Sequence, residues 1–305
     1  MYMARDAQEL LKTYLKLFEI KIKSFEKIEH EEALSSTIYK LIMSDSSIRI
    51  LKISFNKKRW VRECYCLEAV KKHILVPKII EAVESKEDAS GAILMEYIPG
   101  KLIVAQSLTN DLSFQMGSLL ASLHQIDVKF YGDFSQDQIL PPSIESGFSL
   151  LKEYFEKSFK ECENHLQKEL LDIIKKYFYE SLKEIKNLDG PHIIHRDFKP
   201  GNIIVKNNKI KALIDWEIAK NSFAEEDFSQ MEYLVWDKYP KTKDAFLEGY
   251  KAVRSLPDLE QVMPIIRISK ALGAIGFTIE RNTYRGRHKF VFDQCYRYLQ
   301  NIFLK

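Results

Sequence analysis

Three polar side chains with mostly apolar residues between them stand in HIIHRDFKPGNIIVKNNKIKALIDWEIA, from His192 to Ala219. They are a carboxylate at Asp197, an amide at Asn202 and a second carboxylate at Asp215. Hard oxygen donors of this kind suit Mg²⁺, which takes few protein ligands and keeps positions for phosphate oxygens. A carboxylate set slightly apart can receive a proton from an attacking hydroxyl. The three meet only if the chain folds back on itself. NIIV, KNNK and IKALID form a hairpin pattern, and Asn207-Asn208 can take the positive φ values of a tight turn. Folding about that turn sets residue 202 opposite about residue 213, so Asn202 and Asp215 meet at the open end of the hairpin. Asp197 lies five residues before Asn202, across a loop made irregular by Pro200-Gly201. A surface hairpin with ordinary polar ends is the plainer alternative.

The string HRDFKPGN at 195–202 fits the H-R-D-x-x-x-x-N pattern of a kinase catalytic loop, and Asp215 falls where the D-F-G aspartate would. A site of that type also needs a strand lysine for the α- and β-phosphates and a helix glutamate to orient it. SIRILKIS supplies Lys52 among apolar neighbours. On the following segment Trp60, Cys64, Leu67, Val70 and Ile74 share one helical face. Glu63 falls in the middle of that face, and Glu68 toward its edge. An acid facing inward is costly unless paired, and Lys52 is the available partner. Two unrelated surface charges are the alternative.

The elements that must position these residues fall into two groups. Residues 4–18 have helical spacing. Ile20–Ile28, Ser36–Met43 and Ile48–Phe55 are β-rich, with SDSS (44–47) a turn between the last two. Trp60 to Ile74 reads as a helix, and Ala92–Tyr97 as a strand stopped by Pro99-Gly100. Beyond it, residues 108–125, 144–160, 165–188, 226–236, 241–253, 258–280 and 288–303 carry helical periodicity. The expected class is α+β, with a β-rich part over 1–98 and a larger helical part over 99–305. The chain has 305 residues, 46% of them hydrophobic, enough for a sizeable core. Its 46 basic and 43 acidic residues nearly balance at +3, which argues for neither nucleic acid nor an anionic membrane as partner. Cys64, Cys66, Cys162 and Cys295 lack zinc or redox spacing and read as free thiols of a reducing cytoplasm. The N-terminus has no apolar signal core, and no run approaches the roughly 18 apolar residues of a membrane span.

Taken together, the chain resembles the aminoglycoside phosphotransferase family, which includes choline and homoserine kinase relatives. The likeness covers about Ile20 to Tyr250. VRECYCLEAVKKHILVPKIIEA is similar to the family's helix and the V-P-x-hydrophobic strand after it; ILMEYIPG is similar to its interlobe linker. ASLHQID resembles the end of its first large C-lobe helix, and LIDWEIAKNSFAEEDFSQME its metal-aspartate segment with the Asp227-Phe228 pair. The resemblance implies a protein-kinase-like two-lobe fold, with a small β-rich N-lobe and a large, mainly helical C-lobe. It implies Asp197 as base, Asn202 and Asp215 as Mg²⁺ ligands, and Lys52 with Glu63 as the phosphate-gripping pair. It further implies Lys199 beside the transferring phosphate, His195 and Arg196 as braces of the loop, and backbone groups from Glu96 to Ile98 against the purine.

The sequence departs from kinases at two places. No G-x-G-x-x-G occurs; between the first two strands stands EHEEALSST (29–37), which leaves phosphate contact to amides and hydroxyls around Ser35 and Ser36. Acids there would repel a triphosphate unless they point outward. No A-P-E follows Asp215, which argues for a small acceptor rather than a protein. Glu217, Glu225, Glu226, Asp227, Glu232 and Asp237 stand against one base, Lys220, and an acidic floor there would attract a polycation; a solvated helix face plus one structural acid, Asp227, is the other reading. Trp216, Tyr233, Trp236 and Tyr239 are candidates for a pocket wall or for core. RNTYRGRHKF (281–290) is basic with aromatics and reads as a capping loop, without a nucleic-acid module. The expectation is an ATP- or GTP-dependent phosphotransferase with Mg²⁺, acting on a small-molecule hydroxyl, an aminoglycoside-type antibiotic leading. A choline, homoserine or sugar kinase and a silent nucleotide-binding protein of the same fold are the alternatives. The sequence assigns no oligomeric state.

Overall fold

The computed structural model describes residues 7–28, 36–84, 91–134 and 146–304. Helix α1 (Ala7–Leu17) precedes a five-stranded antiparallel sheet of β1 (Ile22–Ile28), β2 (Ser36–Met43), β3 (Ile48–Ser54), β4 (Ile79–Glu84) and β5 (Gly91–Glu96). The strand order is β1-β2-β3-β5-β4, and α2 (Lys57–Val70) crosses over between β3 and β4. Alternation along the strands gives the sheet two apolar faces. Tyr39, Leu41, Leu51, Ile53, Ala92 and Leu94 lie under Leu10, Leu11, Tyr14 and Phe18 of α1. Ile93 and Met95 join Cys66, Leu67 and Val70 of α2 in the main core. Lys52 pairs in register with Ile38 on one side and Ile93 on the other, which puts it on the α2 face.

The chain leaves this sheet after Glu96, and the short β6 (Lys101–Leu102) pairs with β8 (Ile203–Lys206) of the helical part. Gly100 makes that crossing possible, because a Cβ there would lie 2.5 Å from the Val205 carbonyl oxygen. The helical lobe comprises α3 (Asn110–His124), α4 (Gly147–Cys162), α5 (Lys168–Glu184), α6 (Glu225–Met231), α7 (Lys243–Lys251), α8 (Leu259–Glu280) and α9 (Lys289–Phe303). Three small strand pieces, β7 (His192–Ile194), β9 (Lys209–Leu213) and β10 (Lys220–Ser222), frame the segment from 195 to 219. The expected helix over 226–236 is α6 followed by a five-residue π turn, Glu232–Trp236. The expected absence of any segment apolar enough to span a membrane needs correction: α8 passes that test by length and composition. Its apolar residues surround it because it packs against α4, α5, α6 and α9 within the lobe, and 61% of the window is buried. Residues 281–288 form the connection between α8 and α9, with Arg281 stacked 3.8 Å from the Phe277 ring centroid.

Candidate active site

The hairpin forms as its turn residues dictate. Asn207 and Asn208 have φ of 52° and 56°, β8 pairs with β9, and Ile203 stands opposite Leu213. The Ile214 N–H donates to the Asn202 carbonyl at 2.9 Å, which carries Asn202 and the Asp215 backbone to the same end. Asn202 donates from Nδ2 to both the backbone oxygen and Oδ2 of Asp197, each at 2.8 Å. Its Oδ1 is then the atom a cation would use. Lys199 Nζ stands 3.1 Å from Asp197 Oδ2. Asp215 adopts φ 70° and Arg196 φ 68°, a left-handed backbone that non-glycine residues hold only when their surroundings impose it.

Those surroundings centre on Asp227, buried in α6. Its carboxylate accepts from the His195 N–H at 2.8 Å and from the Arg196 N–H. His124 Nε2 contacts the same carboxylate at 3.1 Å, and His124 Nδ1 meets the Tyr250 hydroxyl at 2.9 Å. Burial pushes the His124 imidazole below its ordinary pKa, against the pull of Asp227. His195 Nδ1 accepts from the Asp197 N–H at 3.3 Å, so its Nε2 carries the proton given to the Ile214 carbonyl at 2.9 Å. His195 thus ties the 195–202 loop to the residue before Asp215. Arg196 turns away to Glu226, Nε to Oε1 at 2.9 Å.

Lys52 spans from the sheet to Asp215. Its Nζ lies 2.7 Å from Glu63 Oε2, 2.7 Å from Asp215 Oδ1 and 3.6 Å from Glu217 Oε2. Burial alone would lower the ammonium pKa, but Glu63, Asp215 and Glu217 outweigh it and raise it well above its ordinary value. Burial would raise the Asp215 carboxyl, yet Lys52 holds it below the usual carboxylate range. Burial pushes Glu63 up, with Lys52 opposing and the two other carboxylates adding to the rise. Ligand oxygens of Glu63, Asp215 and Glu217 lie within 4.8 Å of one another, but the Lys52 ammonium already occupies their midst and Arg59 binds Glu217. Of the three, Asp215 is the open one, its side chain 39% exposed. An exposed carboxylate beside an amide oxygen is a donor set that fits Mg²⁺.

In the sequence Glu217 is only one of six acids; in the structure it is a third partner of Lys52, bonded by Arg59, while Arg62 donates to its carbonyl at 2.9 Å. Its place two residues after Asp215 is no signal by itself, because its arginine partners on α2 stand 155 and 158 residues away in the chain. Glu68, by contrast, pairs with Lys71 at the surface. Ser36 opens β2 opposite Ser54, on the same sheet face as Lys52; Ser35 and the acids of 29–34 lie outside the described residues. Glu96 ends β5, and its N–H donates to the Lys78 carbonyl at 3.0 Å. Ile98 follows in the linker.

The acids over 217–237, readable from sequence as an acidic floor or as a solvated helix face with Asp227 structural, are engaged within the protein. Glu225 is buried and accepts from the Asp189 N–H, Glu226 binds Arg196, Lys220 and Lys270, Glu232 binds Lys243, and Asp237 binds Arg267. With Glu217 and Asp227 already committed, all six acids have protein partners. Trp216 is fully buried against His195, Trp236 and Tyr239 belong to the core, and Tyr233 lines a cavity.

The sequence profile of the phosphotransferase enzyme family (APH) matches residues 50–265, and the chain belongs to that family. No curated protein matches the chain by sequence. Among solved structures, the chain is similar to an amicoumacin kinase, hAmiN, in complex with AMP-PNP, Ca²⁺ and Ami, at 17% identity and TM-score 0.71, over 98% of this chain and 93% of that one. It is similar to the spectinomycin phosphotransferase APH(9)-Ia with ADP and spectinomycin, at 18% identity and TM-score 0.62, over 98% and 95%. It is also similar to the macrolide 2'-phosphotransferase MphH from Brachybacterium faecium, at 14% identity and TM-score 0.68, over 95% and 98%. These likenesses establish the two-lobe kinase-like fold.

Proposed function

We propose that the chain is a Mg²⁺-dependent kinase that moves the γ-phosphoryl group of ATP or GTP to a hydroxyl of a small molecule. The observation that carries this reading is the bridge Glu63–Lys52–Asp215, which joins the sheet lobe to the catalytic hairpin through two contacts of 2.7 Å. Lys52 grips the α- and β-phosphates, and Glu63 holds it in place. Asn202 Oδ1 and Asp215 hold the Mg²⁺, which offsets phosphate charge when bound. Asp197, fixed by Asn202 and Lys199, takes the proton of the acceptor hydroxyl. The acceptor oxygen bonds to the γ-phosphorus, the bond to the bridging oxygen breaks, and the nucleoside diphosphate leaves. Lys199 meets the moving phosphoryl group. Backbone groups from Glu96 to Ile98 meet the purine, and Ser35 with Ser36 serves the phosphates. A cytoplasmic location belongs to this proposal and is supported by four free thiols.

An antibiotic acceptor is supported by the spectinomycin, amicoumacin and macrolide enzymes among the solved neighbours. A polycationic aminoglycoside draws no support from the acids over 217–237, all of which are engaged within the protein. The test is diphosphate release from ATP and GTP with Mg²⁺, across aminoglycosides, other antibiotics, choline, homoserine and sugars. Acceptor-dependent release that disappears in Asp197→Ala is the expected result. Turnover of a good acceptor at the wild-type rate in Asp197→Ala would remove Asp197 from its role.

A further inference from the structure

A cavity of about 380 Å³ lies between α4, α6, the π turn, α8 and α9. Its wall includes Arg196, the residue before Asp197, and Ile218, three residues after Asp215, so it adjoins the catalytic loop. The volume is within the roughly 300–1,000 Å³ of small-molecule sites. Three cations reach it, Arg196, Arg267 and Lys270, and Tyr154, Tyr233 and Tyr298 give it an aromatic lining. Arg267 lies 5.1 Å from the Tyr298 ring centroid, and Lys270 5.3 Å from that of Tyr154. No carboxylate lines the wall among the described residues.

The cations around this wall outnumber the carboxylates that serve them. Glu226 alone is shared by Arg196 at 2.9 Å, Lys270 at 2.8 Å and Lys220 at 3.3 Å. Arg267 is held by Asp237 at 2.9 Å, while Glu232, 3.6 Å away, lies closer to Lys243. The surplus is felt inside the cluster: burial drives the Lys220 ammonium down to about 8 although Glu226 opposes it, and Arg196 and Lys270 add to the fall.

We propose that this cavity receives the acceptor and selects one carrying an anionic group on an apolar or aromatic body, the anion meeting Arg267 and Lys270 while the hydroxyl reaches toward Asp197. This rests on the phosphotransfer reading above and gives it a substrate class. A polycation would enter a positively charged, partly desolvated wall, which disfavours it.

The test is calorimetric titration of the full chain, with Mg²⁺ and AMP-PNP present, using three matched alcohols: p-(hydroxymethyl)benzoate, its benzamide and its benzylamine. Kanamycin serves as the polycation. The benzoate is expected to bind at least about tenfold tighter than the benzylamine, the scale of one charge-assisted contact. Gln230→Glu places a near-isosteric acid in the same wall and is expected to reverse that order. Arg267→Gln is expected to weaken the benzoate alone. AMP-PNP affinity should be unchanged in both variants. Tighter binding of benzylamine or kanamycin, benzoate binding indifferent to both substitutions, or no benzoate binding at millimolar concentration overturns the inference. Benzoate selectivity without any AMP-PNP binding would uphold the cavity's preference and overturn phosphotransfer instead.

Discussion

Lys52 is almost fully buried among three carboxylates, so removing its charge acts on stability and on ligand binding together. Lys52→Met is expected to lose about 3–5 kcal/mol of folding stability, the cost of breaking a buried pair from one side. Nucleotide affinity should fall with it; urea unfolding as stable as wild type would contradict the ion-pair account. Asp197→Ala should leave the fold intact, because Asp197 is a partner of Asn202 and Lys199 at the cleft rather than a core anchor. Its turnover should drop by about 10²–10⁴-fold, as for loss of a positioned base, read from single-turnover kinetics. The residues that could be read from the sequence had a one-dimensional signature. Glu63 was separable from Glu68 because it interrupts an apolar helical face. Glu217 was not, since its role depends on where Arg59 and Arg62 of α2 arrive in space. The bond of Asp227 to the His195 and Arg196 N–H groups was hidden for the same reason, across 32 and 31 residues of chain.

At the level of elements, α3 and α7 cross so closely that their glycines touch the opposite backbone. A Cβ on Gly249 would fall inside the Phe114 carbonyl, and one on Gly117 inside that of Phe246. Gly249→Ala is expected to cost about 1–3 kcal/mol by forcing the helices apart, measured by thermal or urea denaturation. Helix α6 buries Glu225, whose carboxyl is pushed up to about 7 chiefly by burial. The folded state therefore holds that proton more tightly than the unfolded chain, and the contribution to stability falls as pH rises from about 4.5 through 7. Glu225→Gln should gain about 1–3 kcal/mol at pH 8 and nothing at pH 5; an equal gain at both would exclude the titration as cause. Strands, turns and most helices were legible because period, Asn-Asn and Pro-Gly punctuation are local. Helix α2 begins at Lys57 rather than at the expected Trp60, because the Asn56 side chain caps it through the Arg59 N–H at 3.2 Å. The π turn after α6 was not legible, since its sequence carries ordinary helical spacing.

Across the whole molecule, the two-lobe plan follows from segregation of β-rich sequence, β1 to β5, from the helix-periodic sequence after it. What the sequence did not reveal is which charges neutralise one another. Six acids over twenty-one positions suggested a field for polycations, yet burial and pairing consume them, and the cavity beside Arg196 is cationic instead. Such pairing is decided by packing between α4, α6 and α8, far apart in the chain. The account as a whole depends on the two lobes closing on one metal–nucleotide unit through Lys52 and Asp215. Its most direct measurement is equilibrium binding of ATP and GTP, with and without Mg²⁺, to wild type and to Asp215→Ala. Saturable binding that requires Mg²⁺ and weakens by about tenfold or more in the variant, with its circular dichroism unchanged, is the predicted result. Failure of both nucleotides to bind with Mg²⁺ supplied, or binding indifferent to Asp215, would contradict it.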